Sequence, residues 1–442
     1  MAQLPPGALM QRAATGLAVA CAQRLSRVYA SPVVLLVGRG DNGADALWAG
    51  AMLRRRGAVV SAVLTGEPKA DALAAFRATG GRVVDEVGPG LVVDGLVGIG
   101  GRGALRDAAA ALAAEVRDRD VVAVDLPSGV DADTGEVAGT AVRAGLTVTF
   151  GTLKPGLLLA REHVGELQLV DIGLALPPAP VEVLEDADVE LLLPRPRRGD
   201  DKYTRGVVGV AAGSRAYPGA AVLSVGAAVR AGAGMVRFAG TPHAAEQVRS
   251  HWPEVVVSEL EGSDVVTAGR VQAWVVGPGL GTGARAAETV EAVLAEDVPV
   301  LVDADGLTLA ARHPEWLSRR TAPTLLTPHD REFARFGLDV LADRVGSARA
   351  LAAELGVTVL LKGDATVVAG PHGPARVNAP GTAALATAGT GDVLAGAAGA
   401  LLAQGLGPLD AGSVAAHLHG LAGRDAAGAG TTSASAVLAH WP

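Results

Sequence analysis

The stretch Val33-Val34-Leu35-Leu36-Val37-Gly38-Arg39-Gly40-Asp41-Asn42-Gly43-Ala44-Asp45 runs from a short apolar segment through a glycine-rich turn into an alanine-rich one. The apolar run has strand length, and residues 45–56 carry a helical pattern. Strand, glycine turn and helix in that order aim backbone N–H groups at the place where a phosphate or nucleotide edge binds. The glycine spacing is not that of the dinucleotide fingerprint. A plain turn with an aspartate capping the helix is the alternative reading.

The same grammar repeats outward from this stretch. Strand-length apolar runs recur at 59–64, 91–93, 121–124, 147–150 and 167–170, with helical patterns at 70–79 and 106–117. Continuous apolar strands alternating with helices imply a parallel sheet covered on both faces, with ligands at the carboxyl ends of its strands. Around 174–200 the pattern breaks at Pro177, Pro178, Pro180, Pro194 and Pro196, with Glu182, Glu185, Asp186 and Asp188 between them. This reads as a linker over 176–199, joining a domain of residues 1–175 to one of residues 200–442. Beyond it, strands are expected at 207–211, 236–238, 255–257, 274–276, 300–302, 324–326, 359–361 and 366–368. Helices are expected at 219–231, 285–294, 347–355, 391–404 and 411–427.

The totals agree with two domains: 442 residues exceed one ordinary core, and 49% are hydrophobic. A net charge of −8 without a basic stripe argues against nucleic acid and against a membrane surface. Cys21 is the single cysteine, so neither an internal disulfide nor a cysteine-rich metal site is possible. Without a signal pattern or a long apolar run, the expected location is the cytoplasm. The basic residues are nearly all arginine; only Lys69, Lys154, Lys202 and Lys362 are lysine. In that background Lys154, Lys202 and Lys362, each at the edge of a patterned stretch, call for a reason.

Candidate chemistry gathers at strand ends. Asn42, Asp94, Asp125 and Ser128 should meet at one sheet edge in the first half. Oxygen donors without cysteine or histidine suit a hard cation or a sugar, and a buried carboxylate there could serve as a general base. In the second half, Ala388-Gly389-Thr390-Gly391-Asp392-Val393-Leu394-Ala395-Gly396 is a glycine turn opening a helix, with Asp392 at the positive end of its dipole. It suits a phosphoryl-bearing ligand held on backbone amides with a carboxylate aimed at a hydroxyl. Strand-end segments 277–281, 303–305, 327–332 and 361–366 should line the same crevice. No Walker A sequence is present, so nucleotide binding here is not of the P-loop kind.

Taken together, these motifs resemble the bifunctional NAD(P)H-hydrate repair enzymes. The match is most specific over 121–156, 217–235 and 360–396. The resemblance implies an α/β chain, a Rossmann-like parallel-sheet epimerase domain followed by a ribokinase-like dehydratase domain. The substrates would be hydrated NADH and NADPH, in which a hydroxyl on C6 has destroyed the hydride donor. The first domain would interconvert the two C6 epimers. The second would pass a phosphoryl group from ADP, with Mg2+, to the hydroxyl of the S form, so that phosphate leaves and AMP remains. Hydroxide is a poor leaving group and phosphate a good one.

By the same resemblance Asp392 and Asp125 are the catalytic residues, Asp392 taking the hydroxyl proton. Lys362, Gly363, Asp364, Ala365, Thr366, Gly389, Thr390 and Gly391 would contact the nucleotide. Asp41, Asn42, Gly43, Asp45, Gly98, Gly100, Gly103, Ala220, Gly281 and His329 would contact substrate. Asn42, Asp94 and Ser128 would hold K+. A homo-oligomer is the expected assembly. Ala44 stands where the family has glycine and is expected to place a methyl group against the ligand. The rival readings are a ribokinase-like small-molecule kinase using ATP, and a dehydratase whose first domain is a silent binding module.

Overall fold

Seven parallel strands form the sheet of the first unit in a computed structural model that describes residues 5, 7–428 and 430–442. They are β1 (Pro32–Val37), β2 (Val59–Leu64), β3 (Arg82–Val83), β4 (Leu91–Gly95), β5 (Val121–Val124), β6 (Leu146–Phe150) and β7 (Glu166–Val170). Their order is β3-β2-β1-β4-β5-β6-β7, a doubly wound sheet whose strand order reverses between β1 and β4. Val33 pairs with Val60 and Leu91 on either side, and every neighbouring pair is parallel. Helices α1 (Ala8–Arg24), α2 (Asp41–Arg55), α3 (Ala70–Ala78) and α4 (Asp107–Glu115) accompany the sheet, with short helices α5 (Pro155–Leu159) and α6 (Arg161–Val164) before β7. Buried clusters include one around Leu35, Leu47, Leu53 and Phe76 and another around Val34, Leu36, Val92 and Val116. Alternate residues of β1 therefore enter different cores, which is why the strand reads as an unbroken apolar run.

The second unit, Ala179–Pro442, is built on a sheet of order β11-β10-β9-β12-β13-β14-β15-β16-β17-β8. In chain order the strands are β8 (Val181–Glu182), β9 (Val207–Ala211), β10 (Met235–Gly240), β11 (Val256–Glu259), β12 (Ala273–Val276), β13 (Val300–Val302), β14 (Thr324–Leu326), β15 (Thr358–Leu361), β16 (Val367–Ala369) and β17 (Ala375–Val377). The strands from β11 to β15 are parallel; β16 and β17 then turn back antiparallel. The helices are α7 (Asp186–Leu192), α8 (Pro218–Arg230), α9 (Pro242–His251), α10 (Ala284–Ala295), α11 (Asp305–Arg312), α12 (Glu315–Ser318), α13 (Asp330–Phe333), α14 (Arg344–Leu355), α15 (Thr390–Ala403), α16 (Pro408–Ala427) and α17 (Ala434–Ala439).

Helix α15 is buried almost all round, which suits its alanine- and glycine-rich composition. A Cβ on Gly396 would collide with the Ser224 carbonyl of α8, and one on Gly399 with the Val275 side chain of β12. Small residues thus let α15 lie close between helix and sheet, and this sets where its N-terminal turn emerges.

Residues 181–192, expected as linker, instead form β8 and α7 of the second unit. Strand β8 pairs with β17, and His417 Nε2 of α16 lies 2.7 Å from Asp186 Oδ1 of α7. The prolines flank this small edge element without excluding it, because edge positions tolerate missing donors.

Candidate active site

In the first unit the carboxyl ends of β1, β4, β5 and β6 carry the polar groups. The carboxylate of Asp94 is fully buried at the end of β4. Its Oδ2 accepts from the Ser128 N–H at 2.8 Å and its Oδ1 from the Ser128 hydroxyl at 2.7 Å. Burial raises its pKa, and these hydrogen bonds oppose the rise. Among the described residues no cationic side chain pairs with it. Asn42, in the first turn of α2, donates its amide to the Val124 carbonyl at 2.5 Å, which leaves its side-chain oxygen beside Gly98. A Cβ on Gly98 would fill that space. Asp94 and Ser128 are thus joined, the Val97 carbonyl lies 3.2 Å from the Ser128 hydroxyl, and the Asn42 side chain stands beside the next residue, Gly98. One buried carboxylate among neutral oxygens fits a large monovalent cation such as K+ better than zinc.

Asp125 follows β5 with φ +68°, a left-handed conformation unfavourable for a residue with a side chain. Its Oδ1 accepts from Lys154 Nζ, from the Thr149 hydroxyl at 3.1 Å and from the Phe150 N–H at 3.3 Å. Lys154 Nζ also reaches the Thr149 hydroxyl and the Phe150 carbonyl, so the ion pair is fixed on the end of β6. Both side chains are largely buried. Lys154 was legible as one of few lysines, but its partner was not.

A cavity of about 570 Å³ opens at the switch point between β1 and β4. It is lined by Asp41 and Asn42 and by the 98–104 loop, including Gly98, Gly100 and Gly103. Gly43 does not line it; a Cβ there would collide with the Gly38 carbonyl, so this glycine serves close packing. Ala44 likewise does not line it. Its methyl lies in the core with Leu47 and Leu35, which overturns the expectation drawn from its departure from the family turn. Asp45 lines a separate cavity.

In the second unit Asp392 sits in the first turn of α15, and Gly389, the N-cap, has φ +88°. Lys362, at the end of β15, places its Nζ 2.7 Å from Asp303 Oδ1 and 3.6 Å from Glu332 Oε2. A Cβ built on Gly391 would lie 3.5 Å from that ammonium and 3.9 Å from Asp303 Oδ2, so turn, lysine and aspartate share one small volume. Burial, then the charge of Asp303, pushes the Asp392 carboxyl up to about 7, with Lys362 opposing. Burial works against the Lys362 charge, yet Asp303 and Glu332 hold its pKa above the ordinary value. Asp303 and Glu332 were read as strand-end residues without assigned roles; only the fold shows them gripping the lysine.

The other expected residues fall around this cluster in different ways. Gly281 donates its N–H to Asp305 Oδ2 at 2.8 Å, and Ala220 lies against Gly279. His329 caps α13: its Nδ1 accepts from the Arg331 and Glu332 N–H groups, while Glu332 accepts from the His329 N–H. Gly363 and Asp364 are exposed in the β15–β16 turn and Thr366 is half-buried, whereas Ala365 is buried. The Thr390 hydroxyl is spent on the Leu385 and Thr387 carbonyls, so its offering to a ligand is the backbone N–H. Beneath it lies His419 of α16, whose imidazole burial lowers to about 4, partly offset by a hydrogen bond to the Thr390 backbone. No sequence motif marked this histidine.

A doubly wound first unit followed by a second with a mostly parallel sheet and an acid at a glycine-rich helix start defines a two-part α/β enzyme. Residues 6–156 match the family described as YjeF-related protein N-terminus, and residues 208–440 the family described as NAD(P)H-hydrate dehydratase. The chain is 52% identical over its full length to a Mycobacterium leprae protein named bifunctional NAD(P)H-hydrate repair enzyme, covering 95% of it. A Mycobacterium tuberculosis protein of the same name is 53% identical over 92% of this chain and 86% of its own. A ribokinase-like superfamily protein from Enterococcus faecalis superposes with a TM-score of 0.55 at 26% identity, over 61% of this chain and 96% of its own. The chain belongs to the bifunctional NAD(P)H-hydrate repair enzymes.

Proposed function

We propose that this chain repairs hydrated NADH and NADPH, the first unit interconverting the R and S hydrates and the second dehydrating the S form with ADP. The names and high identity of its full-length relatives support this reading. The observation that carries the chemistry is Asp392, a buried carboxyl raised to about 7 at a helix N-terminus beside Lys362. A group with that pKa takes a proton from an alcohol near neutrality, a contribution worth roughly 10²–10⁴-fold. The C6 hydroxyl oxygen then attacks the terminal phosphorus of ADP, AMP departs, the new phosphate ester leaves C6 as inorganic phosphate, and the neighbouring C5 loses a proton to solvent as the C5–C6 double bond forms. Backbone N–H groups of Gly389, Thr390 and Gly391 and the Lys362 ammonium stabilise the charge on the transferring group. Lys362, Gly363, Asp364, Ala365 and Thr366 form the nucleotide-side segment, and Ala220, Gly281 and His329 the substrate side. Mg2+ would be carried on the nucleotide phosphates and would supply positive charge to the transferring group.

In the first unit Asp125, held on Lys154, is a catalytic carboxylate that steadies the charge developing on the hydrate, and Asp41, Asn42, Gly98, Gly100 and Gly103 face the substrate cavity. Asn42, Asp94 and Ser128 would hold K+, which supplies positive charge to a buried carboxylate that lacks any. The test mixes hydrated NADH with the purified chain, ADP and Mg2+ and follows recovery of NADH absorbance. Both epimers should be consumed; Asp392→Asn should abolish recovery, and Asp125→Asn should spare the S form. Phosphorylation of another small alcohol by ATP, with no recovery, would replace this reading with a kinase.

A further inference from the structure

A second cavity of about 410 Å³ lies in the first unit, between the starts of α1 and α2 and the end of β6. Its walls are Leu9, Met10, Phe150 and Ile172, with Asp41 and Asp45 the acidic groups on it. Asp45 is only 7% exposed, and its Oδ1 is buried without a hydrogen-bond partner. Burial without a hydrogen-bond partner favours the neutral acid over its anion, so this carboxyl is set to carry a proton where it meets the cavity. The wider cavity is different in kind: glycine backbone lines it together with Arg39, Arg102 and Arg106. Asp41 borders both.

A hydrated nicotinamide dinucleotide has two parts of matching character, an uncharged ring bearing a hydroxyl and a polyanionic remainder. Resting on the epimerase reading above, we propose that the small apolar cavity seats the hydrated ring, with the Asp45 carboxyl as the catalytic residue on its C6 hydroxyl. The arginine-lined cavity then takes the phosphates. Asp125 adjoins the ring site through Phe150, whose N–H it holds and whose side chain walls the cavity.

The division of labour follows from the surroundings of the two acids. Asp125 is locked in an ion pair with Lys154 and serves as a fixed anion. Burial, then the charges of Asp41 and Asp125, raises Asp45 to about 7, with Lys69 opposing, so it can lend a proton near neutrality. In the outward step Asp45 gives its proton to the C6 hydroxyl, and the C6–O bond breaks with its electron pair leaving in water. The ring nitrogen lone pair forms the C=N bond of a cationic ring, which Asp125 faces. Water then adds to the opposite face and gives its surplus proton to solvent, from which Asp45 regains one. One water leaves and one enters, and nothing is oxidised.

The test uses the full chain and purified R hydrate, with epimer ratios read by chromatography in the absence of ADP. Asp45→Asn, which keeps shape, should lower the epimerisation kcat at least 100-fold and leave KM within about threefold. Ile172→Trp, which fills the cavity, should raise KM at least tenfold. Melting curves check that each variant is folded. Wild-type epimerisation with both variants matching its kcat and KM overturns the ring site while leaving the epimerase reading intact. A wild-type chain that interconverts no epimers overturns both. A loss in Ile172→Trp with Asp45→Asn unchanged refutes the role given to Asp45.

Discussion

Replacing Asp392 by asparagine should stabilise the second unit while abolishing its chemistry, and the stabilisation should grow with pH. The Asp392 carboxyl is raised from 3.8 to about 7, first by burial and then by Asp303. The folded state thus holds this proton more tightly than the unfolded chain. The contribution is fully present below about pH 4 and is lost as pH rises through about 7. A shift of roughly three units corresponds to about 4 kcal/mol at 1.36 kcal/mol per unit. Between about pH 5.5 and 8.5, roughly 2 kcal/mol of that is lost in the wild type and none in the variant. For a unit of this size that is a change of about 4–8 °C in the difference between their melting temperatures. Calorimetry on the full chain at both pH values, following the transition that ADP raises, measures it. A melting-temperature difference that does not change with pH, or a variant less stable at the higher pH, would refute the electrostatic reasoning. The cost to the wild type is the expected one for a site kept short of its stability optimum by its function.

Lys362→Met leaves Asp303 and Glu332 buried without their cation, so the second unit should lose about 3–5 kcal/mol in a denaturant titration. Unchanged midpoints would show that the carboxylates find water instead. Gly396→Val should cost about 1–3 kcal/mol or more by driving α15 from α8, seen as a lowered melting temperature with nucleotide affinity weakened in parallel. Epimerisation should be faster in K+ than in a choline buffer of equal ionic strength, and Ser128→Ala should raise the K+ concentration for half-maximal rate. Equal rates in the two buffers would exclude the cation site.

Most of the framework was legible locally. The runs at 33–37, 121–124 and 207–211 are strands because apolar residues continue without helical spacing and stop at or just before Gly38, Asp125 and Gly213. The Asp392 turn was legible as a glycine turn opening an apolar helix, whereas the carboxylates of Asp303 and Glu332 around Lys362 were not. Helix α1 and the β8–α7 element escaped notice, the first because its apolar stripe is weak, the second because prolines on both sides imitate a linker.

Sequence by itself determined that this chain is two successive α/β units, each with phosphate-suited turns after its strands, and which residue types those turns carry. Only tertiary structure decided what the turns become. Asp125 meets Lys154, 29 residues on, and Lys362 meets Asp303, 59 residues back, because parallel crossovers bring distant strand ends to one edge. Likewise, Ala44 faces the core and Asp45 a cavity through the turn of one helix. The proton affinities of Asp45 and Asp392 are set by burial among other carboxylates, and burial is a property of the packed chain that no local segment contains.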